Sequence, residues 1–421
     1  MEVGPFIKLH RIEQRITQEA LARGIVSMSY LSKIENQRTT ASPEVVSMLC
    51  ARLGVQYSNK ENAEMKEKFK NWFKLLFEVN DKEEIIAKHD EIQKQLDQTN
   101  ASGSVMFEIH KIRYYLILEK RNEALKQIHN LHEIASTFDN LQQFYWYKFY
   151  GNFHTTQNDF TQAMRMYKHA EDMLNQLQLT EEDVADLQYT IAVTHSKLRN
   201  TLEAIEYADK ALQTFMKRYY FIRCAECHII LGISYRRIRM YDKAIENYRL
   251  AKHLGKLNNN NQVIKLANQN LGYLFSTKGD KQEAIKNYIE VARDTKGNTT
   301  ARLAAITSLT KEYYAISDIE KTEEMIVAGL DILKDDVQRQ KYPFYYYTIY
   351  TYKYAIEQDN EKFETHVIDT FIPYLKRHKD YANLAVYNHM VGNHYEHLKR
   401  YKDAVHYYKQ ANLAYEELSN I

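Results

Sequence analysis

Apolar and small residues recur along this chain in two linked helical rows, repeated about every 40 residues. The clearest copies read Leu231-Gly232, Tyr235, Ala244, Tyr248 and Ala251, then Leu271-Gly272, Phe275, Ala284 and Tyr288. Each places a small residue on a first helix, a large one three later, Ala twelve later and an aromatic sixteen later. Taking the Gly232 slot as marker, the series runs Phe73, Ile112, Gly151, Ala192, Gly232, Gly272, Thr310, Thr351, Gly392. The matching slot of the second helix holds Ile85, Ala124, Ala163, Ala204, Ala244, Ala284, Thr322, Phe363 and Ala404. The pattern predicts nine helix pairs. Each pair is too small to bury its own apolar face and so stacks on its neighbours.

Residues 6–55 follow a different pattern. Phe6, Ile7, Leu9 and Ile12 form one apolar stripe at helical spacing. Thr17 caps a second helix beginning Gln18-Glu19-Ala20-Leu21-Ala22, with Ala20 expected against the next helix. A turn at Gly24-Ile25-Val26 leads to a third helix capped by Ser27, with Tyr30, Leu31 and Ile34 facing inward. Ser42-Pro43 then opens a fourth helix that buries Val45, Val46 and Leu49 and runs to about Arg52, before Leu53-Gly54-Val55. Four short helices precede the repeats.

Composition narrows this further. Four Pro and 12 Gly among 421 residues leave little room for strands and tight turns, so the chain reads as all-α. The net charge of +2 is unevenly spread. Residues 1–60 carry eight Lys/Arg against five Asp/Glu, and the remainder 49 against 50. The head is basic, which suits nucleic acid. Three cysteines, no apolar run of transmembrane length and no signal-peptide layout predict a cytoplasmic protein without membrane contact.

The two-slot pattern resembles the tetratricopeptide repeat. The strings Thr17-Gln18-Glu19-x-Leu21-Ala22 and Ser29-Tyr30-Leu31-Ser32-Lys33-Ile34-Glu35, closed by Leu53-Gly54-Val55, resemble the helix-turn-helix of the xenobiotic-response-element (XRE) repressors. The stretch from Leu21 to Glu35 is one residue shorter than is usual there. The fold expected is an N-terminal helix-turn-helix domain followed by a right-handed superhelix of about nine degenerate repeats. Residues 1–58 form the head, 59–68 a linker into the first repeat helix, and 69–421 an array for peptide binding and oligomerisation.

The outward side of the third helix offers Ser27, Met28, Ser29, Ser32, Lys33 and Asn36 to base edges. Gln18 is placed to reach a phosphate or an adenine edge, and Arg11, Arg15 and Arg38 lie on flanks suited to phosphates. In tetratricopeptide arrays the first helices line a concave groove. The resemblance places there Arg113, Lys148, Asn152, Tyr189, Arg236, Gln269, Asn270, Tyr273 and Asn393. Amide side chains donate and accept at once, as the backbone of an extended peptide requires.

An XRE-type head on repeats of about 40 residues resembles the peptide-pheromone receptors of Gram-positive bacteria, the Rap, NprR, PlcR, PrgX and Rgg group, with nine repeats behind one head nearest the NprR branch. That resemblance implies a quorum-sensing transcription activator whose groove takes a short signalling peptide. The Rap members act on response regulators of the sporulation phosphorelay, so a receiver domain is the alternative partner. No cofactor is implied. Cys224-Ala-Glu-Cys227 lacks the four ligands of a zinc site, and His389, His394 and His397 lack a metal-binding spacing. No phosphate loop or catalytic triad appears, so an enzyme is not expected. The ninth pair ends in Tyr407, Tyr408, Tyr415 and Leu418 with no polar capping helix after it, which predicts self-association there.

Overall fold

The computed structural model describes residues 3–57, 63–78, 81–98, 105–295 and 298–419. Among them the paired helices lie where the two rows place them, and there is no β-strand. The chain divides into two units, Met1–Leu198 and Arg199–Ile421, each a stack of helices in its own right.

In the first unit the head comprises α1 (Val3–Glu13), α2 (Gln18–Ala22), α3 (Met28–Glu35) and α4 (Pro43–Leu53). Thr17, Ser27 and Ser42 cap α2, α3 and α4 through their hydroxyls, as their sequence positions require. Gly24 and Gly54 supply the left-handed residues that end α2 and α4. The head core holds Phe6, Ile7, Leu21, Ala22, Leu31, Ile34, Leu49 and Leu53, with Val45 and Val46 at its edge. Two expectations change here. Ala20 is exposed, and Ala22 is the small residue that packs inward. The stripe on α1 is not one face but two, because Leu9 turns away from Phe6 and Ile7 into the core of the repeats.

The first-unit pairs are α5 (Ala63–Glu78) with α6 (Lys82–Gln98), α7 (Val105–Ile117) with α8 (Arg121–His132), and α9 (Asn140–Thr156) with α10 (Phe160–Asp172), followed by α11 (Glu181–Lys197). Helix α5 begins inside the stretch assigned to the linker, so residues 63–68 are helical; residues 58–62 lie outside the described residues. In this pair Trp72, one before the marker, is fully buried, while the marker Phe73 is only half-buried. Its indole donates to the Ile85 carbonyl at 3.2 Å.

The second unit holds α12 (Thr201–Lys217), α13 (Phe221–Arg237) with α14 (Tyr241–Leu257), α15 (Asn261–Lys278) with α16 (Lys281–Ala292), and α17 (Thr299–Ala315) with α18 (Ile319–Ile332). A short α19 (Asp336–Lys341) intervenes before α20 (Pro343–Glu357), and α23 (Tyr381–His397) with α24 (Tyr401–Ser419) follow. The partner of α20 is interrupted: α21 (Asn360–Glu364) passes through a π-helical stretch, Thr365–Phe371, into α22 (Ile372–Arg377). Pro373 lacks the N–H an α-helix needs there, which accounts for the widened turn just before it. Neither α19 nor this bulge shows in the repeat pattern.

All nine second-helix slot residues are buried, and so is every marker after Phe73. The rings of Tyr167, Tyr248, Tyr288 and Tyr408 lie flat against Gly151, Gly232, Gly272 and Gly392, leaving no space for a β-carbon. Where the marker is Ile112, Thr310 or Thr351, the residue sixteen later is Ile128, Ile326 or Val367 instead. In these pairs bulk removed on one helix is restored on its partner, so density is kept, whereas Ala192 is followed sixteen later by another small residue, Ala208. A β-carbon at Gly272 would sit 2.5 Å from the Tyr288 ring. Gly272→Ala should therefore lower stability by about 1–3 kcal/mol through overpacking, and Tyr288→Leu added to it should restore part of the loss. Urea unfolding midpoints check both, and an unshifted midpoint for the single variant would contradict the packing.

Candidate functional site

The head presents α3 on a frame fixed from beneath. Glu35 is fully buried, and Arg11 grips it with Nε at 2.7 Å and Nη2 at 2.9 Å while its Nη1 donates to the Ile16 carbonyl. Gln18 donates to the same carboxylate at 2.7 Å. One buried acid thus ties together the first three helices, with charge-assisted bonds that hold α3 at a set angle. Arg11 is consequently a frame residue and not a free phosphate ligand. Gln18 is half-buried, and its amide N–H is likewise spent on the frame.

Of the other head candidates, Met28, Ser29, Lys33 and Arg38 are exposed. Ser27 is exposed too, but its hydroxyl caps the Tyr30 N–H. Ser32 is half-buried. Asn36 is occupied at both ends: its amide donates to the Ser32 carbonyl at 2.8 Å, and its oxygen accepts from Lys8. The α3 candidates whose side chains remain accessible and are not taken up in capping or in the frame are therefore Met28, Ser29, Ser32 and Lys33.

The groove candidates separate by unit. In the first, Lys148 and Asp186 are each 2 % exposed and pair at 2.9 Å, with Arg113 Nη1 at 3.6 Å from the same carboxylate. Arg113 also donates to the Leu76 carbonyl at 2.7 Å. Lys148 is thus removed from the groove surface, and Arg113 is largely spent on α5 and α11. Asn152 accepts from the Tyr167 hydroxyl at 2.7 Å, which leaves only its amide N–H groups to face a ligand. Tyr189 is half-buried.

The second unit differs. The Arg236 guanidinium stacks 4.5 Å over the Tyr273 ring, which is half-exposed. It also lies against the Tyr248 hydroxyl. Its buried Nε–H has no acceptor among the described residues. One turn before Tyr273, Gln269 donates to Ser308 at 3.4 Å, and its buried carbonyl oxygen has no donor among the described residues. Ser308 in turn meets the Tyr288 hydroxyl, and Ser276 donates to Glu312. Asn270 bonds to its own helix at Leu266. Arg236, Gln269 and Tyr273 therefore converge on one face of α13, α15 and α17. Ser308 and Glu312 complete it and were not among the sequence candidates, because a serine and a glutamate on a helix carry no signal of their own.

At the other end of the unit, Asn393 accepts from Tyr408 at 2.8 Å. The Tyr408 hydroxyl also bonds Glu396, and Tyr407 packs on Tyr395. These two tyrosines are half-buried and engaged within the last pair. Leu418 is half-buried, and the apolar side chains that α24 exposes are Tyr401, Val405, Leu413 and Tyr415. Cys224 and Cys227 are buried and free, burial pushes both thiols up, and no group of metal-ligating side chains exists among the described residues. No described helix is long and apolar enough to cross a membrane.

Comparison with known proteins places this geometry. Residues 7–58 match a helix-turn-helix family model, and residues 146–317 match that of the soluble NSF attachment protein, SNAP. The transcriptional activator NprA of Geobacillus stearothermophilus is 33% identical over 408 residues, covering 95% of this chain and 99% of NprA. The chain belongs to the NprA family of transcription regulators.

The fold of this NprA-family chain is shared with solved relatives. The apo quorum sensor NprR of B. thuringiensis aligns with a TM-score of 0.70 at 16% identity, over 83% of this chain and 98% of that one. A Rap protein solved with competence and sporulation factor aligns at 0.68 and 19%, over 85% and 99%. Response regulator aspartate phosphatase A of Bacillus subtilis is 26% identical, over 46% of this chain and 52% of its own length. The fold expected from the head and repeats is thus the one these Rap and NprR structures have.

Two consequences of the buried polar groups can be measured. Asp186→Asn leaves Lys148 buried without its counter-charge and should cost about 3–5 kcal/mol, read as a lowered urea midpoint. His110, stacked 3.8 Å from Phe73, has its pKa pushed down to about 3 by burial, with Lys148 and Arg113 adding to the effect. The unfolded chain takes up that proton near pH 6.5 and the folded chain does not. Stability is therefore full above about pH 6.5 and falls as the pH drops below it. His110→Gln should flatten that slope in melts taken between about pH 7 and 4.

Proposed function

We propose that this chain is a peptide-responsive transcription regulator. The head binds promoter DNA through α3, and the first-helix face of the second unit receives a short signalling peptide that controls it. One observation carries the peptide half of this reading. The Arg236 Nε–H and the Gln269 carbonyl are a buried donor and a buried acceptor, both without partners among the described residues, on adjacent first helices. Such groups are costly to leave unmet, and an extended peptide backbone offers one complement to each. Tyr273 beside them gives an apolar wall with a polar rim.

The DNA half is supported by the exposed polar row on α3 and by the family's printed role as activator. The regulator acts in the cytoplasm, without catalysis of its own, and self-associates through the apolar residues exposed on α24. A receiver domain of a response regulator is the alternative partner, favoured by the similarity to an aspartate phosphatase of response regulators. Pull-down of receiver domains with the repeat array separates that reading from this one.

Titration of fractionated extracellular peptides against the full chain tests the proposal. Arg236→Ala and Gln269→Ala should each weaken the active peptide about tenfold, leaving peptide-free operator binding unchanged. Lys33→Ala should do the reverse, weakening operator binding and sparing the peptide. Unaltered peptide affinity in both groove variants would move the site elsewhere.

A further inference from the structure

Helix α1 belongs to two cores. Phe6 and Ile7 lie in the head, whereas Leu9 is 1 % exposed among Val105, Ile109, Ile112, Ala124 and Ile128 of the second repeat. The head is therefore seated on α7 and α8, not merely tethered to them. A side chain so enclosed fixes the angle at which α1 crosses α8.

Beyond Leu9 the two helices diverge around an open cleft of about 380 Å³. Its polar lining is Glu13 and Arg15 from the head and Asn122, Lys126, His129 and Asn130 from α8. Glu13 is the single acid there. It pairs with His10 at 3.2 Å. Arg15, Asn122 and Lys126 are exposed, and neither Arg15 nor Lys126 has an ion-pair partner among the described residues. The cleft thus offers hydrogen-bond donors and positive charge on a rigid floor.

Its position is the second observation. Arg15 stands two residues before Thr17, which caps α2, and three before Gln18, the candidate DNA contact whose amide donates to Glu35. Through Arg15 the cleft borders the start of α2, beside the candidate DNA contact Gln18. We propose that the DNA-binding surface does not end with the head but crosses this cleft onto α8, where Lys126, supported by Asn122, meets a backbone phosphate of the duplex that α3 reads. The repeat array would then act as receptor and as part of the DNA clamp, so that a change of pitch between α7 and α8 alters DNA affinity directly. This rests on the DNA-binding reading of the head.

The experiment uses the full-length chain, an operator duplex selected in vitro from random sequence, and a random duplex of equal length, between 50 and 200 mM salt. A phosphate contact carries no sequence information, so Lys126→Gln should weaken both duplexes alike, by roughly three- to tenfold. The slope of log affinity against log salt should become shallower by about one. Lys126→Arg should retain wild-type behaviour, and the thermal melt of every variant should be unchanged. Lys33→Ala should instead reduce the preference for operator over random DNA. If Lys33→Ala behaves so while Lys126→Gln leaves affinity and slope intact, the extension onto α8 is wrong and the head reading stands. If the wild type binds neither duplex, the head reading falls and the extension with it. Tighter binding by Lys126→Gln would mean that α8 obstructs the duplex, which also overturns the proposal.

Discussion

The repeat rests on one recurring contact, that of the marker residue on the first helix with the residue sixteen positions later on the second. Its volume is shared, not fixed: Gly against Tyr in four pairs, Ile112 and Ile128 in another. That sharing explains how the repeat tolerates so much divergence. It also constrains function. A tyrosine that lies flat on glycine carries its hydroxyl across to the far side of the first helix, onto the face where a ligand would sit. Asn152 and Asn393 each follow a marker glycine, and each spends its amide oxygen on that hydroxyl. The asparagines that look most like peptide ligands are therefore half committed to holding their own repeat.

The second unit escapes this at Gly232 and Gly272. There the residues following the marker are Ile233 and Tyr273, which offer no amide oxygen, and the hydroxyls of Tyr248 and Tyr288 turn to Arg236 and Ser308. In the first unit the equivalent polar groups are closed upon themselves, since Asp186 neutralises Lys148 and draws in Arg113. The same repeat thus produces a sealed polar core in one unit and an unfinished one in the other. An unfinished set costs stability unless something completes it. That asymmetry points to the second unit as the place where a ligand is received.

How much of this was legible in the sequence follows from what sets each feature. Helix pairs, caps and the four-helix head were readable because periodicity and hydroxyl caps act locally. The turns between paired helices were not. Each of those after the first pair carries a left-handed residue seven positions after the marker, and it is Glu119, Asn158, Arg199, Arg239, Gly279, Ser317, Gln358 or Lys399. Most of these are poor turn formers, so the packing of the pair imposes the turn and the sequence does not announce it. The buried fate of Lys148 was likewise hidden, because its partner Asp186 lies on another helix nearly forty residues away.

The same limit applies to α1, and there it bears on mechanism. Phe6, Ile7, Leu9 and Ile12 fit one helical stripe, and nothing local indicates that Leu9 serves a second core. Only the seating of the head on α7 and α8 divides the stripe. A regulator whose DNA-reading helix hung from a free tether could change affinity only by bringing heads together. A head whose first helix is shared with the array has a second route open to it, because any repacking around Ile112 and Ile128 must also move Leu9. The Arg11–Glu35 pair then passes that movement to α3, since the guanidinium that rides on α1 holds the carboxylate at the end of the recognition helix. Tightly packed elements transmit displacement instead of absorbing it. The array and the head are thus mechanically one piece within the first unit, and the short run from Leu9 through Arg11 to Glu35 is the path along which one can act on the other.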